Sequence, residues 1–219
     1  MFLRLLLTTA LSMHCFVLVG CGGNNSSTST PPVGDEVTVK IQGSEGDKPQ
    51  STKSDDLQGT DGDDRLFGGD GNDDIKGGSG NDYIVGNAGG DKLFGEAGAD
   101  RIFGRDGNDR MFGGGGNDYM KGGSGDDTLS GDGGFDTLFG EGGADTFLFK
   151  GNWRRDKVAD FENGVDRLGL SSQGLSGFSD LTIVQDGTTV IVSITGDTNN
   201  DIRLENTDIA DIDAADFSF

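Results

Sequence analysis

Between Gly59 and Leu148 an aspartate returns every nine residues, ten times without a break: Asp64, Asp73, Asp82, Asp91, Asp100, Asp109, Asp118, Asp127, Asp136 and Asp145. In every unit one glycine stands five residues before the aspartate and another stands two residues before it, as Gly59 and Gly62 precede Asp64. Glycine can take the positive φ that turns carbonyl oxygens into one concave cluster, and a carboxylate at the rim adds charge to it. Such a cluster offers the six to eight oxygen donors that a hard divalent cation accepts.

The segments that align these turns are short. Position eight of each unit is always apolar: Leu66, Ile75, Ile84, Leu93, Ile102, Met111, Met120, Leu129, Leu138 and Phe147. The last three residues of a unit therefore read as a strand whose middle side chain points inward, with positions seven and nine facing out. Four fixed positions in ten consecutive units closely resemble the RTX repeat, GGxGxDxUx, a calcium-binding pattern. That resemblance implies an all-β fold, a right-handed parallel β-roll in which two units make one coil and like positions stack every eighteen residues. Asp64, Asp82, Asp100, Asp118 and Asp136 then line one edge, and Asp73, Asp91, Asp109, Asp127 and Asp145 the other. With one Ca2+ in each gap between neighbouring turns, the two edges hold about eight ions. A fainter unit precedes these, with Asp55 and Leu57 in register but no glycines. Phe135 and Ala144 replace the commoner Asn or Asp at position five, and Asn87, Glu96, Arg105, Asp132 and Glu141 replace the second glycine, so affinity is expected to be weaker there.

Composition agrees with a cation ligand. Thirty-eight acidic and 17 basic side chains give a net charge of −21, which repels nucleic acid. The 41 glycines and 32% hydrophobic content are poor material for an ordinary core. Residues 1–20 carry Arg4 and then a short, interrupted apolar run, the pattern of a secretory signal rather than a membrane span. The run ends Leu18-Val19-Gly20-Cys21, which resembles a bacterial lipobox and implies cleavage before Cys21, lipidation of that cysteine and membrane attachment through it alone. Residues 21–58 read as a flexible tether with a weak N-terminal cap, in which Val37, Val39 and Ile41 alternate with polar residues. His14, the chain's single histidine, and Cys15 lie within the signal. The mature chain is thus expected to have no disulfide and no histidine chemistry.

After the roll at 59–148, residues 149–219 resemble the C-terminal cap of serralysin-type metalloproteases, through the DF-x-x-G-x-D-x-L pattern from Asp160 to Leu168 and the terminal Asp216-Phe217-Ser218-Phe219. This implies a C-terminal antiparallel β sandwich closing the roll, with the acidic and apolar tail read as cap structure rather than a type I secretion signal. Leu181–Gln185 and Thr188–Ile194, separated by Asp186-Gly187, read as a β-hairpin. Asp197, Asn199 and Asp201 suggest the start of an EF-hand loop, but Ile202 and Asp208 stand where glycine and glutamate are required. No zincin histidine pair exists, Ser171 and Ser172 lack a histidine base, and 22–58 is too short for a catalytic domain. The expectation is a non-enzymatic, exported calcium-binding protein, outer-membrane or cell-surface tethered or else secreted, with a structural or adhesive role. The alternative is an accessory module presenting a separate exported enzyme. Outward positions alternate Arg65, Tyr83, Arg101, Tyr119 and Thr137, with Phe67, Phe94, Phe103, Phe112 and Phe139 beside them, a pattern suited to stacking or to docking a protein or cell-surface polymer.

Overall fold

The computed structural model describes the strand at 38–40 and residues 53–150, 154–170, 175–197 and 199–219. Residues 1–20, read above as a signal, and Cys21, Ser171 and Ser172 lie outside the described residues. Two strands, β1 (Thr38–Lys40) and β2 (Asp56–Gln58), precede the repeats. The repeats supply β3 (Arg65–Asp70), β4 (Asp74–Ser79), β5 (Tyr83–Ala88), β6 (Lys92–Ala97), β7 (Arg101–Asp106), β8 (Arg110–Gly115), β9 (Tyr119–Ser124), β10 (Thr128–Gly133), β11 (Thr137–Gly142) and β12 (Thr146–Leu148). The C-terminal segment adds β13 (Arg155–Val158), β14 (Arg167–Gly169), β15 (Leu181–Asp186), β16 (Thr189–Ile194), β17 (Asp201–Glu205) and β18 (Phe217–Ser218).

Through the repeats, from β3 to β12, successive strands go to opposite sheets. One sheet runs β1-β2-β4-β6-β8-β10-β12-β14-β18 and the other β15-β16-β17-β13-β11-β9-β7-β5-β3. Pairing within the roll is parallel, with Leu66 opposite Ile84 and Ile84 opposite Ile102, so one coil is eighteen residues and two repeats. This is the parallel β-roll that the resemblance to the RTX repeat implies. All ten position-eight side chains, with Leu57 ahead of them, are fully buried between the two sheets. Each stabilises the roll by about 1.5–3 kcal/mol, one such side chain for every nine residues of ordered backbone.

Position nine departs from expectation at two places. Val85 and Ser130 are buried although their alternation points them outward. Val85 lies in register between Phe67 and Phe103, and Ser130 beside Phe112, so small side chains are covered by larger neighbours on adjacent strands. On the same face the rings of Phe67, Tyr83, Phe103, Tyr119 and Phe139 touch in sequence, with centroids 5.3–6.1 Å apart. Arg65 stacks over Tyr83 at 5.2 Å and Arg101 over Tyr119 at 5.6 Å, as the alternation of positive and aromatic residues predicts, and Lys121 stacks over Phe139 at 4.9 Å besides.

The cap extends the two sheets of the roll. Antiparallel pairing, expected from the serralysin resemblance, is confined to β15, β16 and β17, while β13, β14, β17 and β18 join their roll-side neighbours in parallel. The physical reason is continuity: β13 and β14 carry Val158 and Leu168 into the core at the positions that Leu138 and Phe147 hold one coil earlier. In the hairpin both strands pair through Asp186 and Thr189, so the two turn residues are Gly187 and Thr188 rather than Asp186 and Gly187. Gly187 has φ +63° at the first of them, a conformation that glycine takes without strain. The C-terminal tail is built into the cap, with Phe217 buried and β18 paired to β14. Among the described residues no helix is long and apolar enough to cross a membrane.

Candidate metal centre

All ten predicted aspartates are nearly inaccessible, 1–2% exposed, on turns whose glycines make room for them. At Gly77 a Cβ would collide with Asp82 Oδ2 and with the carbonyl oxygen of Gly95, and the same crowding recurs at Gly68, Gly86, Gly95, Gly104, Gly113 and Gly122. The glycine at position one is thus required because a carboxylate oxygen and a carbonyl oxygen from the next coil already converge there. At position two, five of the six non-glycine residues, Asn87, Glu96, Arg105, Asp132 and Glu141, hold φ between +64° and +89°, Thr60 of the first unit being the exception. The turn therefore keeps its shape through these substitutions at a local cost in strain.

Along each edge the aspartates are wired to one another. Asp64 N–H donates to Asp82 Oδ1 at 2.8 Å, Asp82 N–H to Asp100 Oδ1 at 2.7 Å, Asp100 N–H to Asp118 Oδ1 at 2.8 Å and Asp118 N–H to Asp136 Oδ1 at 2.8 Å. The opposite edge repeats this from Asp73 through Asp91, Asp109 and Asp127 to Asp145. The faint unit participates, since Asp55 N–H donates to Asp73 Oδ1 at 2.7 Å. Both rows thus follow the eighteen-residue stacking, and from the second coil onward each Oδ1 is occupied.

The second oxygen is different. Oδ2 of Asp73, Asp82, Asp91, Asp100, Asp109, Asp118, Asp127 and Asp136 is buried and meets no hydrogen-bond donor. A buried, unpaired carboxylate oxygen costs on the order of 1–3 kcal/mol or more, so it marks a place where a positive charge belongs. Among the described residues no three Asp, Glu, His or Cys side chains converge. A cation there must draw on turn carbonyls beside one or two carboxylates, which suits the oxygen-rich, irregular coordination of Ca2+. The donor set fits the ion.

Three features escape a nine-residue frame. Asp156 and Asp166 continue the two rows in the cap, accepting from Asp136 N–H and Asp145 N–H, each at 3.0 Å. Each stands two residues before a buried apolar side chain, Val158 or Leu168, and that D-x-apolar spacing was the available signal. A third row lies outside the aspartates: side chains at position five accept from the position-five N–H of the next coil, as Asn81 does from Ala99 and Asn117 from Phe135. Ala99 and Phe135 are tolerated because only their N–H is used. Asp197 instead closes a plain loop, accepting from Asn199 N–H and Asn200 Nδ2, while Asp201 pairs with Arg155 and Arg203.

Burial raises the carboxyls from Asp73 to Asp145, and neighbouring aspartates add to it against the opposing effect of the N–H bonds. Asp82, Asp91 and Asp145 are pushed up to about 6, and Asp109, Asp118 and Asp127 to about 7. A carboxyl raised in the folded state binds protons that the unfolded chain releases near its ordinary 3.8. The metal-free roll is therefore favoured in acid and loses that contribution as pH climbs through 6 to 7. Calcium competes with those protons, so its apparent affinity should strengthen as pH rises from about 5.5 to 7.5. Titrations across that range, in two buffers of different ionisation enthalpy, should show proton release on binding; a pH-independent affinity would contradict the arrangement.

Residues 51–84, 85–120 and 121–150 match the family model of the RTX calcium-binding nonapeptide repeat. No curated protein sequence matches the chain. Among solved structures, the chain is similar to the extracellular lipase LipA from Serratia marcescens, with 19% identity over 77% of this chain and a TM-score of 0.36. It spans 39% of the lipase's length. It is also similar to the AlgE6R3 subunit of the Azotobacter vinelandii mannuronan C5-epimerase, with 24% identity over 81% of this chain and 84% of that one, and a TM-score of 0.36. For the AlgE6R2 subunit of the same epimerase the values are 28%, 62%, 91% and 0.29.

Proposed function

We propose, from the match of residues 51–84, 85–120 and 121–150 to the RTX calcium-binding nonapeptide repeat, that the chain is an exported, surface-tethered Ca2+-binding protein with a structural or adhesive role, folding as it binds. The observation that carries the reading is the double row of buried carboxylate oxygens without donors. In this reading Asp64, Asp73, Asp82, Asp91, Asp100, Asp109, Asp118, Asp127, Asp136 and Asp145 are the ligands, and about eight ions fill the gaps between them. The roll performs no catalysis. Its aspartates are committed to the turns, and the sequence supplies no histidine beyond His14 to act as a base. Tethering rests on the lipobox-like Leu18-Val19-Gly20-Cys21 and the polar stretch after it.

Equilibrium dialysis at neutral pH tests the first part: about eight Ca2+ per chain are expected, with Mg2+ a weak competitor. A chain that takes up none would end the proposal. Mass spectrometry of the mature N-terminus tests the second, with a diacylglyceryl group on Cys21 as the expected finding and an unmodified start elsewhere as the refutation.

A further inference from the structure

We propose that the ion row on one edge runs one site beyond the repeats, into the cap, where Asp136 and Asp156 together hold an additional divalent cation of the calcium class; this rests on the reading of the repeat aspartates as calcium ligands. Asp156 is fully buried. Its Oδ1 accepts from Asp136 N–H at 3.0 Å, the bond that Asp82 makes with Asp64, and its Oδ2 meets no donor. Oδ2 of Asp136 is in the same condition, and the two carboxyl groups lie against one another.

Two buried acceptors in contact need a shared proton or a cation between them. The basic side chains on either side of Asp156 do not serve, because Arg155 is paired with Asp201 at 3.2 Å and Lys157 with Glu205 at 2.8 Å. The other edge ends differently. Asp166 Oδ1 accepts from Asp145 N–H at 3.0 Å and its Oδ2 from Glu162 N–H at 2.8 Å, so both oxygens are already satisfied by the backbone. At the opposite end of the roll Asp64 Oδ2 accepts from Thr60 N–H at 2.6 Å, and its Oδ1 is buried without a donor. One row therefore stops on a backbone cap, while the other continues into the cap domain with an open oxygen. The cation would fasten β13 to β11 at the junction of roll and cap.

Counting Ca2+ on the full chain by equilibrium dialysis at neutral pH, beside Asp156→Asn and Asp166→Asn, decides the matter. The asparagine keeps an oxygen for Asp136 N–H and offers an NH2 to the Asp136 carboxylate, so it copies the protonated acid and removes only the charge. Asp156→Asn should bind one equivalent fewer than the unmodified chain, and Asp166→Asn the same number. An unchanged count in Asp156→Asn means a shared proton and overturns the proposal, as does an equal loss in both variants. Far-UV circular dichroism in saturating Ca2+ verifies folding. If the asparagine variant fails it, Asp156→Ser, whose hydroxyl can still accept from Asp136 N–H, is counted in its place: one equivalent lost supports the site, and an unchanged count overturns it. Absence of any Ca2+ uptake by the unmodified chain would instead refute the repeat reading itself.

Discussion

In excess chelator the far-UV circular dichroism of the full chain should lose its β signature, and Ca2+ should restore it. The roll buries one apolar side chain per nine residues, the ten from Leu66 to Phe147, which is too little to offset the entropy of fixing nine backbone residues. It also holds two rows of carboxylates at eighteen-residue intervals, and nine of the ten repeat aspartates have a buried oxygen that meets no hydrogen-bond donor among the described residues. Ca2+ supplies the missing charge, so its binding free energy becomes folding free energy. Mg2+ should restore little of the signal, since turn carbonyls cannot close into its small octahedron. A spectrum that remains β-rich in chelator and ignores added Ca2+ would separate folding from binding and disprove the coupling.

Replacing Asp100 by Ala should remove about two Ca2+ equivalents, and replacing Asp64 about one. Asp100 lies between Asp82 and Asp118, accepting from the first and donating to the second, so its carboxylate borders two gaps. Its loss also leaves Asp82 N–H buried without an acceptor, an added cost of about 1–3 kcal/mol. Asp64 borders one gap only, and its Oδ2 serves Thr60 within the same turn. The interior variant should split the cooperative transition of the stack, whereas the terminal one shortens it. Isothermal titration of both variants is the measurement. Equal losses would mean that each turn binds its own ion, and shared ions between coils would have to be given up.

Much of this was legible in the sequence because the period is rigid. The nine-residue period and the single inward side chain follow from counting, and the RTX resemblance then implies the eighteen-residue register, the two aspartate edges and the outward stacking of Arg65 on Tyr83. Asp156 and Asp166 were hidden because the insertions before them lengthen the interval to 20 and 21 residues, while the glycine frame falls away. What finds them is the fold itself, which restores the register through Val158 and Leu168. The buried state of Val85 and Ser130 was invisible for another reason: alternation states direction, and the size of the neighbours across the ladder decides exposure. The cap could not be read by counting, since its strand order depends on which roll edge each segment meets.

The aspartate wiring also gives the roll a polarity. Every amide in a row finds its acceptor on the coil that follows, never on the one before, from Asp64 to Asp82 and onward to Asp136 and Asp156. Within these rows, deleting coils from the N-terminal side frees a carboxylate oxygen, although ladder amides such as Tyr83 N–H, which donates to the Asp64 carbonyl, then lose their acceptors. Deleting them from the C-terminal side strands a buried N–H, which nothing but a new acceptor can repair. The aspartate rows, taken by themselves, are therefore a one-way ratchet whose pawl is the carboxylate that the cap supplies to the last coil.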